Sequence, residues 1–456
     1  MLLGAVFDRF VAESPVSVMV RGALEYALAP SPLDTLFARV AERQYTQHLL
    51  FSSLVDLVGV VAVKARPSVN KAFLAVKPRL PVSITSVYNK LNGVEPDVCA
   101  ALVAHVGARL GPVVRAMGGT RTDPLPGFRL KILDGNHPAA TQRRLAALRG
   151  SAAGPLPGVT LVVLDPVRQL AIATIPYADG HAQERAQTDA ILALVQPGDA
   201  WLDDRNFCTT RLVFGTAARH ACFLTRQHAS NVAWRARGPR RKVGRIEGGT
   251  VYEQRVVLLG EAKKTLRARR ITVVLDHPTR DGDTEVHILT NLPRRAADAK
   301  KIAEIYRTRW TLETMFQHLE ASFASEIETL GYPGAALFSF AVAVCAYNIL
   351  SVVQAALRAT HGPALIAKPL SADYLASEVA AVHQGLMIAI PPVEWQVFRD
   401  LSPDACGARL QDLAVHIRLA AFQQRGRGPK KPVPPRTRYR DKPHVSTARL
   451  LAGIPP

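Results

Sequence analysis

The chain has 456 residues, enough for two or three domains with substantial cores, and its 48% hydrophobic and 21% charged residues exclude a disordered polymer. Lys and Arg number 57 against 37 Asp and Glu, and the resulting net charge of +20 favours a polyanionic partner. Five cysteines (Cys99, Cys208, Cys222, Cys345, Cys406), scattered and without a C-x2-C pair, argue against a disulfide framework and a zinc site.

Residues 1–120 read as a helical N-terminal domain, with periodic apolar runs at 33–44, 47–64 and 94–110. Asp8 and Arg9 come too early for a signal-peptide core. Residues 83–103 suit a helix–turn–helix with Asn92-Gly93 as the turn, which makes this domain a candidate DNA-binding unit. Gly118-Gly119 and Pro124–Gly127 mark a boundary. The apolar stretches 49–63 and 335–357 are interrupted by Asp56 and by Ser339, Asn348, Ser351 and Gln354. They are expected as buried core helices, with no membrane partner and a cytoplasmic location on the nucleoid.

Residues 121–332 change pattern. Strands are expected at 128–133, 159–164 and 168–175, then a helix at 181–195, a strand at 199–203, a helix at 209–218 and a strand at 221–226. A β-rich insertion covers about 227–295, with strands at 251–259, 270–276 and 285–292. It is basic: Arg235, Arg237, Arg240, Arg241, Lys242 and Arg245 run without an acid beside Trp234, as on a surface that tracks phosphates. Residues 302–323 (IAEIYRTRWTLETMFQHLEASF) contain no Gly or Pro and read as one helix. Ile305, Leu312, Phe316, Leu319 and Phe323 form its apolar stripe, while Tyr306, Arg309 and Glu313 line a second stripe beside it. A helical C-terminal region follows over 333–424, then a basic, proline-rich tail over 425–456.

Phosphoryl transfer with two metal ions needs carboxylates that converge from separate elements. Asp134 ends the first strand; Asp203 and Asp204 end the strand at 199–203 and, by alternation, face opposite ways. Glu313 lies on the long helix, with Glu304 on its far side. The strand and helix order matches an RNase H-like fold, in which the first and fourth strands are neighbours.

Tyr306-x2-Arg309-x3-Glu313, the preceding LTNLP (289–293), Arg309-Trp310, DGN at Asp134, DRNF at Asp204 and the HVSTARLL stretch (444–451) together resemble the DDE transposases of bacterial insertion sequences. The likeness is to the YREK class, which cuts and pastes DNA through hairpin ends, and it spans roughly residues 20–450. It implies an RNase H-like catalytic domain with a β-rich insertion, in which Asp134, Asp204 and Glu313 are the catalytic acids and hold Mg²⁺, with Mn²⁺ as a substitute. It implies that Tyr306 and Arg309 contact DNA, alongside Arg240, Arg241 and Lys242. Its partners would be element ends and target DNA, bound by a homodimer. The sequence departs from the class at Glu320, where the motif has lysine. Two other readings share these residues: an idle DNA-binding descendant of a transposase, and an RNase H-like nuclease that does not join strands. No H-E-x2-H, G-x-S-x-G or P-loop pattern supports another chemistry.

Overall fold

The computed structural model describes residues 3–454 apart from 45, 47, 139–144, 146–153, 229, 280, 281, 328, 366–369 and 424–443. The apolar N-terminal runs fold as α1 (Asp8–Glu13), α2 (Pro15–Ala27), α3 (Pro30–Val40), α4 (Phe51–Ala62), α5 (Val69–Val76), α6 (Ile84–Asn92) and α7 (Pro96–Ala116). Local chemistry sets their ends. Ser83 caps α6 by accepting from the Ser86 N–H at 3.0 Å, and Pro96 starts α7, where its missing N–H costs nothing. The expected helical hairpin at 83–103 therefore forms. Its second helix buries one stripe, Val98, Cys99, Leu102, Val103, Val106 and Leu110, and leaves Asp97, Ala104, Ala108 and Arg115 exposed. Its length and apolarity make α7 a core element.

Alternating residues then build β1 (Arg129–Asn136), followed by β2 (Gly154–Leu156), β3 (Val159–Asp165) and β4 (Leu170–Tyr177). The helix expected at 181–195 is shorter, a 3₁₀ turn at Glu184–Gln187 leading into α8 (Thr188–Ala193). Next come β5 (Asp199–Asp203), α9 (Thr210–Ala218) and β6 (Cys222–Arg226). The insertion supplies β7 (Ala233–Ala236), β8 (Arg241–Ile246), β9 (Gly249–Leu259), β10 (Thr265–Leu275) and β11 (Glu285–Thr290). The strand order is β4-β3-β1-β5-β6-β11-β10-β9-β7, with β8 paired to β9. β1 is antiparallel to β3 and parallel to β5, and β5 is parallel to β6. The insertion is not a separate β unit. β11 pairs antiparallel with β6 and so continues the sheet, covering an edge that would otherwise leave backbone groups unpaired.

The segment expected as one helix over 302–323 is two, α10 (Ala299–Arg307) and α11 (Trp310–Ala321). Between them the N–H groups of Thr308, Arg309, Thr311 and Leu312 each donate to the carbonyl three residues back, at 2.9–3.1 Å. The Thr308 hydroxyl also donates to the Ile305 carbonyl at 2.7 Å, so the side chain competes for the helical acceptor and tightens the turn. Ile305, Leu312, Phe316, Leu319 and Phe323 are still all buried, as the apolar stripe requires. The chain continues as α12 (Pro333–Leu365), kinked at Gly362, then α13 (Ala372–Ala389), α14 (Pro392–Trp395) and α15 (Pro403–Val415). β12 (His444–Ser446) pairs with β2, and α16 (Thr447–Leu451) follows. The basic run 425–442 lies outside the described residues.

Helices from both ends of the chain pack on one face of the sheet. Residues of α2, α4, α7, α12 and α15 share a single core with Leu130, Ile132, Ala200 and Leu202. Leu133, Trp201 and Phe207 meet Ile191 and Leu212 on the opposite face. The helical segments expected as N-terminal and C-terminal units thus form one layer. α7 and α12 are long and apolar enough to cross a membrane, but the most apolar window of α12 is wholly buried within the protein. Asn348, on that helix, accepts from the Ala171 N–H and donates to the Ala171 carbonyl, both at 2.8 Å. It therefore pairs the backbone of β4, an edge strand, in the manner of another strand. Asn348→Leu strands two buried backbone groups and is expected to cost about 2–4 kcal/mol, read as a lower midpoint in urea unfolding; an unchanged midpoint would contradict this role.

Candidate active site

The parallel register pairs Leu130 with Ala200 and Ile132 with Leu202. Two residues further along each chain stand Asp134 and Asp204, so by alternation both side chains leave the sheet on the same face, at the same end. Asp203, one residue earlier, falls on the other face, opposite Thr225 of β6. Asp204 also turns the chain, its carbonyl accepting from the Phe207 N–H at 3.0 Å.

Arg309, in the tight turn between α10 and α11, spans the site. Its Nη1 donates to Asp134 Oδ2 at 3.0 Å and its Nη2 to Glu313 Oε1 at 2.6 Å. The guanidinium is 11% exposed, Asp134 18% and Glu313 44%. Burial works against the arginine's charge, but Tyr306, Asp134, Asp204 and Glu313 more than offset this and raise its pKa. Burial also pushes the Asp134 carboxyl up to about 7, a rise that Glu184 and Asp204 reinforce while Arg309 and the Gly135 N–H oppose it. The Asp203 carboxyl is raised by burial, and the Tyr306 phenol by burial and then by Asp204.

The sequence-predicted residues therefore fall into two groups. Asp134, Asp204, Tyr306, Arg309 and Glu313 come together. Arg240, Arg241 and Lys242 lie at and before the start of β8 on the insertion. Arg241 and Lys242 are exposed. Arg240 is already engaged, donating to Glu285 at 3.0 Å and stacking over Tyr252 with 4.3 Å to the ring centre. Trp234 is likewise covered, by Arg270 at 4.9 Å. Trp310, beside Arg309, is 57% exposed. Glu184, which the sequence did not single out, sits against Gly135 on the face opposite Asp134, and its carboxyl is raised by burial and by Asp204. No motif marks it, since it belongs to a turn far from the other acids in the chain.

The donor set suits a hard divalent cation: carboxylates from separate elements, with Asp204 Oδ1 and the Tyr306 hydroxyl buried and without hydrogen-bond partners. Among the described residues, no three His, Cys, Asp or Glu side chains are drawn together tightly enough to share one ion as they lie. Arg309 is what stands between Asp134 and Glu313.

Residues 161–349 match the family described as the transposase DDE domain. The matched region holds Asp204, Tyr306, Arg309 and Glu313, while Asp134 lies before it. The chain is also 32% identical over 133 residues to a Sinorhizobium fredii protein named "Putative transposase y4zB". That alignment covers 28% of this chain and 35% of the length of the relative.

Folded Asp134, with its carboxyl at about 7, holds a proton more tightly than the unfolded chain, where an aspartate loses it near pH 4 (about 3.9). The contribution to stability is thus complete below about pH 4 and lost as the pH climbs to about 7. In metal-free protein, Asp134→Asn is expected to gain stability relative to the parent across that interval, read by thermal unfolding at successive pH values. A pH-independent difference would contradict the assignment.

Proposed function

We propose that the protein is the transposase of a bacterial insertion sequence, binding the terminal inverted repeats of its element, cutting DNA there and joining the freed 3′-OH to target DNA. The observation that carries this reading is that Arg309 bridges Asp134 and Glu313 with Asp204 within electrostatic reach of the same guanidinium. The match to the transposase DDE domain supports it, as does the net charge of +20. The order β4-β3-β1-β5-β6, with β1 between antiparallel β3 and parallel β5, supports an RNase H-like catalytic core. The YREK class assignment rests on Tyr306, Arg309 and Glu313 at their spacing.

In this reading Asp134, Asp204 and Glu313 hold Mg²⁺, or Mn²⁺ in its place. A pair of such ions supplies Lewis acidity to both the attacking and the leaving oxygen of phosphoryl transfer. The chain's own residues prepare the site. The sheet register sets Asp134 beside Asp204, and the turn at Thr308 aims Arg309 between the acids. Arg309 neutralises the carboxylates at rest and, on leaving them, becomes free to bind a phosphate with its planar donor fork. Tyr306, whose hydroxyl is buried and lacks a partner, is placed to donate to a phosphate oxygen. Arg241 and Lys242 present charge to the DNA backbone from β8. Joining two element ends calls for two copies of the protein in the DNA complex.

Asp134→Asn, Asp204→Asn and Glu313→Gln are each expected to abolish Mg²⁺-dependent cleavage and strand transfer while DNA binding persists. Retained cleavage in any one of them would remove that acid from the scheme, and cleavage without joining in the parent protein would favour a nuclease. Arg241→Ala and Lys242→Ala are expected to weaken DNA binding on all sequences alike. Each should reduce the slope of log affinity against log salt by about 1, measured by fluorescence anisotropy; an unchanged slope would place the DNA elsewhere.

A further inference from the structure

β6 lies beside β5, with Leu224 paired to Leu202 and Thr225 to Asp203. One residue further on, Arg226 ends β6 level with Asp204. Leu202 and Leu224 belong to the main core, so by alternation Arg226 leaves the sheet on the same face as Asp204 and Asp134. Three neighbouring strands, about 4.8 Å apart, thus carry aspartate, aspartate and arginine in one row. Ile302 and Ile305 of α10 share the core on that face. Tyr306, the next residue of α10, lies within electrostatic reach of Asp204, Arg309 and Arg226 together.

Among the described residues, the Arg226 side chain makes one hydrogen bond, from Nη2 to Asp283 Oδ2 at 2.6 Å. A guanidinium has five N–H donors, so most of the fork is unused. Asp283 belongs to the insertion, between β10 and β11, and is fixed there by Thr279. Its N–H donates to Thr279 Oγ1 at 3.1 Å and its carbonyl accepts from the Thr279 N–H at 2.9 Å. Arg226 is 18% exposed and Asp283 35%, so the carboxylate is the open member of the pair. An ion pair that water reaches is weak, and a phosphate can displace the carboxylate by offering two oxygens to the same fork. We infer that Arg226 is a third DNA-phosphate contact of the site, beside Arg309 and Tyr306, and that Asp283 occupies it at rest in competition with the DNA backbone. The inference rests on the transposase reading for the presence of DNA at this face and deepens it.

The alternative is a brace, in which the pair merely ties the insertion to the sheet, and DNA binding separates the two. The probe is a labelled duplex bearing the element's terminal repeat, followed by fluorescence anisotropy with the full-length protein in EDTA, so that no cleavage occurs. Arg226→Gln is expected to weaken binding by about 10-fold and to lower the slope of log affinity against log salt by about 1, with an unchanged circular dichroism spectrum. Arg226→Lys, which keeps the charge but loses the fork, should give a smaller loss and covers the case in which the glutamine variant fails to fold. Asp283→Asn is expected to act in the opposite sense, tightening binding by about two- to fivefold. Added to Arg226→Gln, it should change affinity by less than about twofold, because the group it competes for is gone. Weaker binding in both Arg226→Gln and Asp283→Asn would make the pair a brace and overturn the inference. Equal tightening by Asp283→Asn with and without Arg226 would reduce the effect to bulk charge and overturn it as well. Parental binding in both Arg226 variants, with cleavage still abolished by Asp134→Asn, would overturn it and leave the transposase reading standing. A parent protein that does not bind the duplex would overturn both.

Discussion

Several carboxylates share one buried place at the ends of β1 and β5, and the fold must hold them there against their own repulsion. Burial first of all, and the neighbouring Glu184 and Asp204 after it, push the Asp134 carboxyl up to about 7. Arg309 opposes that rise by spanning Asp134 and Glu313. The site at rest carries its own cation, and that cation sits on a turn rather than within a regular helix.

The rest of the architecture serves this placement. The register of β1 on β5 brings Asp134 level with Asp204, and the register is kept by the apolar residues that precede them, Leu130, Ile132, Ala200 and Leu202, in the main core. Helices from both ends of the chain press on that face, and Asn348 reaches from the central helix to hydrogen-bond β4 at the sheet's edge. The basic insertion is coupled to the same frame. Arg269, 9% exposed on β10, donates to Glu253 and to the carbonyls of Leu292 and Ala297, which lead into α10. That arginine joins the basic strands to the helix preceding Arg309, and its charge is used inside the protein rather than offered to a polyanion.

Much of the β architecture was legible in the sequence. Alternation marks β1, and short apolar or β-branched runs bounded by turn residues mark β3, β4, β5, β6, β9, β10 and β11, the inner strands β3 and β5 being buried on both faces. The acids at the strand ends and the Tyr306, Arg309, Glu313 spacing could be read for the same local reason. Other features were not legible. The break at Thr308 depends on a hydroxyl choosing the Ile305 carbonyl, and nothing in helical periodicity announces it. The short strands β2, β7 and β8 owe their pairing to partners distant in the chain.

By itself the sequence determined the net charge, the apolar periodicities and the short motifs around Asp134, Asp204 and Glu313, all of which are properties of neighbours along the chain. The tertiary structure decided that Arg309 lies between Asp134 and Glu313 and that Arg240 is already paired. It also decided which stripe of the second helix of the hairpin at 83–103 enters the core. Each of these depends on contacts between residues far apart in sequence, where packing and electrostatics act through space and leave no local pattern.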